Sequence, residues 1–376
     1  DGVKGLRVVN ITDPKSPKET GGLAPRNPQG VKKPQGDEGV QPGAVDVYVV
    51  GNYAFVACGI GGMQIVDVTD PTKPNAGKDD RHGFDVPQGG IANGVYVVGN
   101  HVYIAAGNAG LQVLEVQDFF PTTVVGTATI SSIGTNGSTG IIQLGVVVDT
   151  PGCAMDVWIN PAVTEQYVYV ADEKGGLQII DINTNNTPGV NVSNTAMTDA
   201  AIAATTSFED AQNVFIKRQG TQTIAYVSDG ANGFQMVNVT DPTTPVRIPG
   251  ASYNTKDYTS AIWVQDGYIY AADRMAGMAI FDDYNPPNLQ AQNLVSVIFY
   301  STPHIFDLDE DGFCDMLSGD EHGYVWFFHN QGALSHPSFN DGFRIRGPGS
   351  SSSYLFDVNQ YSTPQVVDWN GDGVKD

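Results

Sequence analysis

A ten-residue phrase recurs six times, and it confines the chain to a stack of small sheets. It reads GLRVVNITDP from Gly5, GMQIVDVTDP from Gly62, GLQVLEVQDF from Gly110, GLQIIDINTN from Gly176, GFQMVNVTDP from Gly233 and GMAIFDDYNP from Gly277. The copies lie 44 to 66 residues apart. A constant phrase at uneven spacing means that loops vary around one supersecondary unit, and periods of this size mark propellers or other repeat arrays. In the copy from Ala44 to Pro74, Val45, Val47 and Val49 alternate with Asp46 and Tyr48. Gly51-Asn52 turns the chain into Tyr53–Ala57, and Gly61-Gly62 turns it into Met63–Val68. That is a meander of short antiparallel strands. The third strand is apolar on both faces, as expected of a strand with a packed layer on each side. Thr69-Asp70-Pro71 closes it with turn chemistry.

The fourth strand of each unit is expected in segments such as 123–130 and 246–252. Leu177-Gln178-Ile179-Ile180-Asp181 is the clearest copy of the phrase, and on these strands the chain resembles the LVIVD-repeat family over residues 1–285. The resemblance implies an all-β fold, a β-propeller of four-stranded blades, in a secreted or cell-surface protein, and it carries no catalytic residues with it. Asp1 stands four residues before Gly5, as Asp172 stands before Gly176. The first blade is therefore expected to be incomplete, its first two strands lying upstream in a longer parent.

Residues 286–293 include Pro286-Pro287 and read as a stiff linker to a second domain at 294–376. There the period changes. Tyr300-Ser-Thr-Pro303 leads into Asp307-Leu-Asp309-Glu-Asp311-Gly312-Phe313-Cys-Asp315, and Tyr361-Ser-Thr-Pro364 leads into Asp368-Trp-Asn370-Gly-Asp372-Gly-Val374-Lys-Asp376. Oxygens at loop positions 1, 3, 5 and 9, a backbone carbonyl at 7 and Gly at 6 suit Ca²⁺. Four aspartates in nine residues repel one another unless a cation lies between them. An EF-hand needs an acid at position 12, where this chain has Ser318, and the flanks read as strands. The segment resembles the integrin-type FG-GAP/VCBS repeat, which implies structural calcium and the start of a second propeller. The candidate ligands are Asp307, Asp309, Asp311, the Phe313 carbonyl and Asp315. The second loop offers Asp368, Asn370, Asp372, the Val374 carbonyl and Asp376.

Formal charge is −22. Such acidity disfavours nucleic acid and anionic membrane surfaces as partners, and no apolar run is long enough to span a bilayer. Cys58, Cys153 and Cys314 form no CxxC pattern, and their pairing is not legible. Cys58 takes a slot that other copies give to Asp, which suits a small buried residue. Residues 21–43 and 75–90 read as exposed rim loops, 127–150 as a projecting hairpin or a packed rim insertion, and 199–204 as a short helix. Sequons begin at Asn10, Asn136, Asn185, Asn191 and Asn238. None of the six histidines has HExxH spacing or a GxSxG partner. The expected function is a non-catalytic scaffold or binding protein of a surface layer, sheath, filament or adhesin. Its partners are other surface or extracellular proteins, glycans, or copies of itself. The alternatives are a propeller hydrolase or lyase, and an accessory module of a surface enzyme or electron-transfer assembly.

Overall fold

The computed structural model describes residues 5–11, 18–24, 43–74, 83–86, 90–99, 101–115, 142–159, 167–181, 194–196, 208–283, 291–295, 302–309, 311–320, 322–332, 337–339, 342–345 and 362–367. Six four-stranded antiparallel meanders follow one two-stranded sheet. The two-stranded sheet is β1 (Leu6–Asn10) with β2 (Lys18–Leu23). Blade A is β3 (Asp46–Val50), β4 (Tyr53–Ala57), β5 (Met63–Asp67) and β6 (Gly83–Phe84). Blade B is β7 (Gly94–Val98), β8 (His101–Ala105), β9 (Leu111–Glu115) and β10 (Ile142–Val148). Blade C is β11 (Asp156–Trp158), β12 (Tyr167–Ala171), β13 (Leu177–Asp181) and β14 (Asn194–Ala196). Blade D is β15 (Ala211–Gln219), β16 (Gln222–Asp229), β17 (Phe234–Asn238) and β18 (Val246–Tyr253). Blade E is β19 (Thr259–Gln265), β20 (Tyr268–Asp273), β21 (Gly277–Asp282) and β22 (Ala291–Val295). Blade F is β23 (Thr302–Phe306), β24 (Asp315–Gly319), β25 (Val325–Phe328) and β26 (Phe343–Arg344).

The first strands neighbour one another in chain order, β3 against β7, β7 against β11, and so on to β19 against β23. The blades therefore stack face to face around an axis lined by first strands. The burial pattern explains the sequence. Second and third strands such as Tyr167–Ala171 and Leu177–Asp181 are buried at every residue but one, because a neighbouring blade covers each face. The glycine that opens each phrase has φ between +66° and +84°. At Gly62, Gly110 and Gly233 an added Cβ would run into the carbonyl of Phe84, Val148 or Tyr253, where the chain turns past the fourth strand. Only glycine meets both demands. The polar residue of the phrase is equally local in purpose. Buried Gln112 and Gln178 donate their side-chain amides to the turn carbonyls of Ala109 and Gly175.

Three expectations are corrected. Blade B takes its fourth strand from 142–148 rather than from 123–130. Residues 291–293, read as linker, begin β22 and pair with β21. Blade F does not open a separate propeller. One face packs Ile305, Met316 and Phe328 against Tyr268, Tyr270, Met278 and Ile280 of blade E. The other buries Phe306, Leu317, Val325 and Phe327 with Val366 and Ile11. A sheet apolar on both faces needs a neighbour on each side, and the preceding repeats supply one. Segment 362–367 lies beside β23, with the Thr302 hydroxyl donating to the Ser362 carbonyl at 2.7 Å. Together with β1 and β2, which pack on blade A through Leu6 and Leu23, this segment closes a ring of seven positions. The fourth strand expected at 246–252 is β18. The hairpin tip of 127–141 and the helix expected at 199–204 lie outside the described residues. All three cysteines are free, and Cys58 is fully buried.

Candidate functional site

Two groups of polar side chains stand out from this apolar stack. The first is the loop between β23 and β24. Gly312, at φ +88°, lets the chain reverse, and its amide donates to Asp307 Oδ2 at 2.9 Å. The Phe313 amide donates to Asp311 Oδ1 at 2.8 Å. Asp315 is fully buried and stitches the loop. Its Oδ2 accepts from the Leu308 amide, and its Oδ1 accepts from the Asn330 amide at 2.9 Å and meets His329 Nδ1 at 3.0 Å. Burial, the leading effect, lifts the Asp315 carboxyl above the usual range. The bond to Asp315 raises the His329 imidazole.

Asp309, Asp311 and His329 bring one ligand atom each within 4.8 Å of one another. Asp307 Oδ1 is buried with no hydrogen-bond partner among the described residues. A buried carboxylate oxygen without a donor is costly, and a hard cation is the natural companion for it. Of the residues expected as ligands, the structure thus gathers Asp309 and Asp311, leaves one oxygen of Asp307 buried and unsatisfied, and commits Asp315 largely to loop hydrogen bonds. His329 was not singled out from sequence. It sits just past β25, which pairs with β24, and only that register brings it to the loop. Asp368, Asn370, Asp372, Val374 and Asp376 lie outside the described residues.

The second group lines the axis. Side chains at one repeat position of the first strands of blades A, C and D reach across to the next blade. Asp46 Oδ2 accepts from the Val95 amide at 2.9 Å, Asp156 Oδ2 from the Val214 amide at 3.1 Å, and Asn213 Oδ1 from the Ile262 amide at 2.8 Å. Asn213 also donates to Asp156 Oδ2 at 2.7 Å. Burial pushes the Asp46 carboxyl up to about 6. Burial and then the Asp46 charge push Asp156 up to about 7.

Two residues further along each first strand stands a ring-bearing side chain. Tyr48, Tyr96, Trp158, Phe215, Trp263 and His304 follow one another with centroid separations of 4.5, 5.2, 4.5, 5.3 and 4.7 Å. Trp158 and Trp263 also meet edge to face at 6.4 Å, so the aromatics close over the axis. Offset and edge contacts at these distances are favourable beyond simple burial.

The LVIVD repeat matches residues 43–77, 89–118, 151–196, 223–255 and 257–292, so the chain carries this repeat through blades A to E. No curated protein matches. Among solved structures, one from Bacteroides fragilis, assigned provisionally as a 6-phosphogluconolactonase, is similar at 12% identity and TM-score 0.56, over 92% of each chain. The Pseudomonas aeruginosa periplasmic gluconolactonase is similar at 11% identity and TM-score 0.54, over 82% of this chain and 87% of that one. The WD40 β-propeller domain of Doa1 is similar at 11% identity and TM-score 0.51, over 82% and 84%. At such identities the likeness is one of fold.

Proposed function

We propose that this LVIVD-repeat β-propeller is a non-catalytic binding scaffold of the cell surface or extracellular space, presenting its outer faces to proteins or glycans. The observation that carries this reading is how the axial polar groups are spent. The carboxylates of Asp46 and Asp156 and the amide of Asn213 bond to backbone amides of neighbouring blades, and the aromatic ring covers the axis beside them. Groups held this way stiffen a platform. The acidic loop of blade F serves the same end: Asp307, Asp309, Asp311 and His329 would hold a structural Ca²⁺ that fixes the turn between β23 and β24. The net charge of −22 fits an extracellular, calcium-bearing role and disfavours nucleic acid. Among the described residues no helix is long and apolar enough to cross a membrane.

A propeller hydrolase is the second reading. The two axial carboxyls held near neutrality favour it, since such groups suit general acid–base work, and two of the similar folds are named as lactonases. A turnover assay separates the two readings. The scaffold reading expects the purified chain to open an aldonolactone no faster than an Asp46→Asn, Asp156→Asn double variant. Turnover well above buffer that this variant abolishes would establish the hydrolase instead.

A further inference from the structure

Blade D ends its third strand on a triplet that the fold does not use in full. Asn238-Val239-Thr240 is an Asn-x-Thr acceptor sequence, and of the five in the chain it is the one whose three residues are all described. Asn238 is the last residue of β17 and is half-buried, and Thr240 after it is exposed on the turn towards β18. Asn238 Oδ1 accepts from the Thr240 amide at 3.0 Å. Blade A builds the same turn with aspartate: Asp67 Oδ1 accepts from the Thr69 amide at 2.9 Å and from the Thr69 hydroxyl at 2.6 Å. One side-chain oxygen therefore suffices for the turn. What asparagine adds is the amide nitrogen, and Asn238 Nδ2 donates to nothing among the described residues. The threonine differs too. Thr240 Oγ1 accepts from the Thr223 amide at 2.9 Å and keeps its proton, whereas the Thr69 hydroxyl spends its own on Asp67. Across the ladder Asn238 pairs with Val246, which is 61% exposed. Side chains so paired share one face of the sheet, so a bulky polar group on Nδ2 would lie over an exposed valine.

We propose that Asn238 is an N-glycosylation site, carrying an oligosaccharide on Nδ2. The reaction is a glycosyl transfer from an oligosaccharide activated on a lipid phosphate. Nδ2 bonds to the anomeric carbon as that carbon's bond to the phosphate oxygen breaks. The lipid phosphate leaves with the electron pair, and one amide proton passes to a base of the transferase. The hydroxyl of Thr240 is the second feature such a transferase requires. The modified residue keeps Oδ1, so the bond from the Thr240 amide survives. The sugar is bulky and solubilising, and Val246 beside it gains a polar cover. The turns after first and third strands share one end of the ring, where the Val239 amide donates to the Thr223 carbonyl at 2.9 Å. The glycan therefore sits on the end that also carries the acidic loop of blade F, and it leaves the opposite end open for contact. The inference rests on the extracellular placement proposed above, because such sequences are glycosylated in secreted chains.

The test maps peptides around Asn238 by mass spectrometry, in protein purified separately from the exterior and from the cytoplasm of the cells that make it. The exported protein should carry hexose or hexosamine on Asn238, and a peptide-N-glycosidase should remove it and leave aspartate. Thr240→Ser should keep the glycan and Thr240→Ala should lose it. Asn238→Asp, which supplies the residue blade A uses at this place, should lose the glycan while its circular dichroism and melt match those of the enzymatically deglycosylated protein. That match separates loss of the acceptor from loss of the fold. Exported protein bare at Asn238, sugar on Thr243 or Thr244 in its stead, or a glycan retained in Thr240→Ala would overturn the proposal. A chain confined to the cytoplasm would overturn the extracellular reading and the proposal with it, so the two failures are told apart by where the protein is found.

Discussion

Replacing Asp156 with asparagine should remove a large part of the pH dependence of stability without breaking the blade C to blade D contact. The carboxyl has an ordinary value of 3.8 and is pushed to about 7, first by burial and then by the charge of Asp46. Between those values the native state binds more protons at this site than the unfolded chain does. Its contribution is therefore complete below about pH 4 and is lost as pH rises through 7. A displacement of about three units corresponds to about 4 kcal/mol at 1.36 kcal/mol per unit. Asp46 titrates nearby and shares the coupling, so about 2–4 kcal/mol is expected for the single substitution. A chain this size unfolds with an entropy near 0.8 kcal/mol/K, so the effect reads as roughly 3–5 °C. Asparagine keeps an oxygen to accept from the Val214 amide, which preserves the latch. Thermal melts by circular dichroism from pH 4.5 to 8, at constant saturating Ca²⁺, should place both proteins together at the acidic end. The variant should then stand progressively higher towards pH 8. Parallel curves would show that Asp156 is not a strained carboxyl, and the account of the axial latch would fail.

Asp309→Ala with Asp311→Ala should remove one bound Ca²⁺ by calorimetry; unchanged stoichiometry would refute the loop as a metal site. Chelation should speed hydrogen exchange in blade F more than in blades C and D, and a uniform change would deny calcium a local structural part. Gly233→Ala meets both a φ of +76° and the Tyr253 carbonyl, so a loss of at least about 2 kcal/mol is expected by chemical denaturation. Asp283→Ala strips the partner from Lys217, Gln219 and Tyr226 at a carboxylate 2% exposed. It should cost about 3–5 kcal/mol, and a melt lowered by less than a degree would contradict that network.

The sequence showed what depends on local repetition. The phrase at Gly62, Gly110 and Gly233 fixes a turn, a buried strand and a close passage past the fourth strand, all within about 40 residues, and blades A to E followed from it. The ring closure was not legible, because it joins residues far apart in the chain. Ile11 meets Val366 and Phe306 only once six blades have turned the chain through a circle. The fourth strand of blade B was misplaced because 123–130 and 142–148 are both β-rich, and pairing with β9 chooses between them. At the candidate site, the aspartates announced themselves through spacing, whereas His329 depends on the register of β24 and β25. The axial aromatics were visible in each copy as ordinary strand residues. Their contact with one another is a property of the circle.

The side-chain latch that joins neighbouring blades is not uniform around that circle. Asp46, Asp156 and Asn213 offer an acceptor to the next sheet, but the same position is Gly94 in blade B and Ala261 in blade E, and neither side chain has one to give. Blade E meets blade F through Tyr270, Met278, Met316 and Phe328, and through Trp263 stacked on His304. Such an oily joint loosens in the cold, whereas the carboxylate joints loosen as pH rises from about 4 through neutrality. Chilling and a rise in pH should therefore pry the toroid apart along different radii.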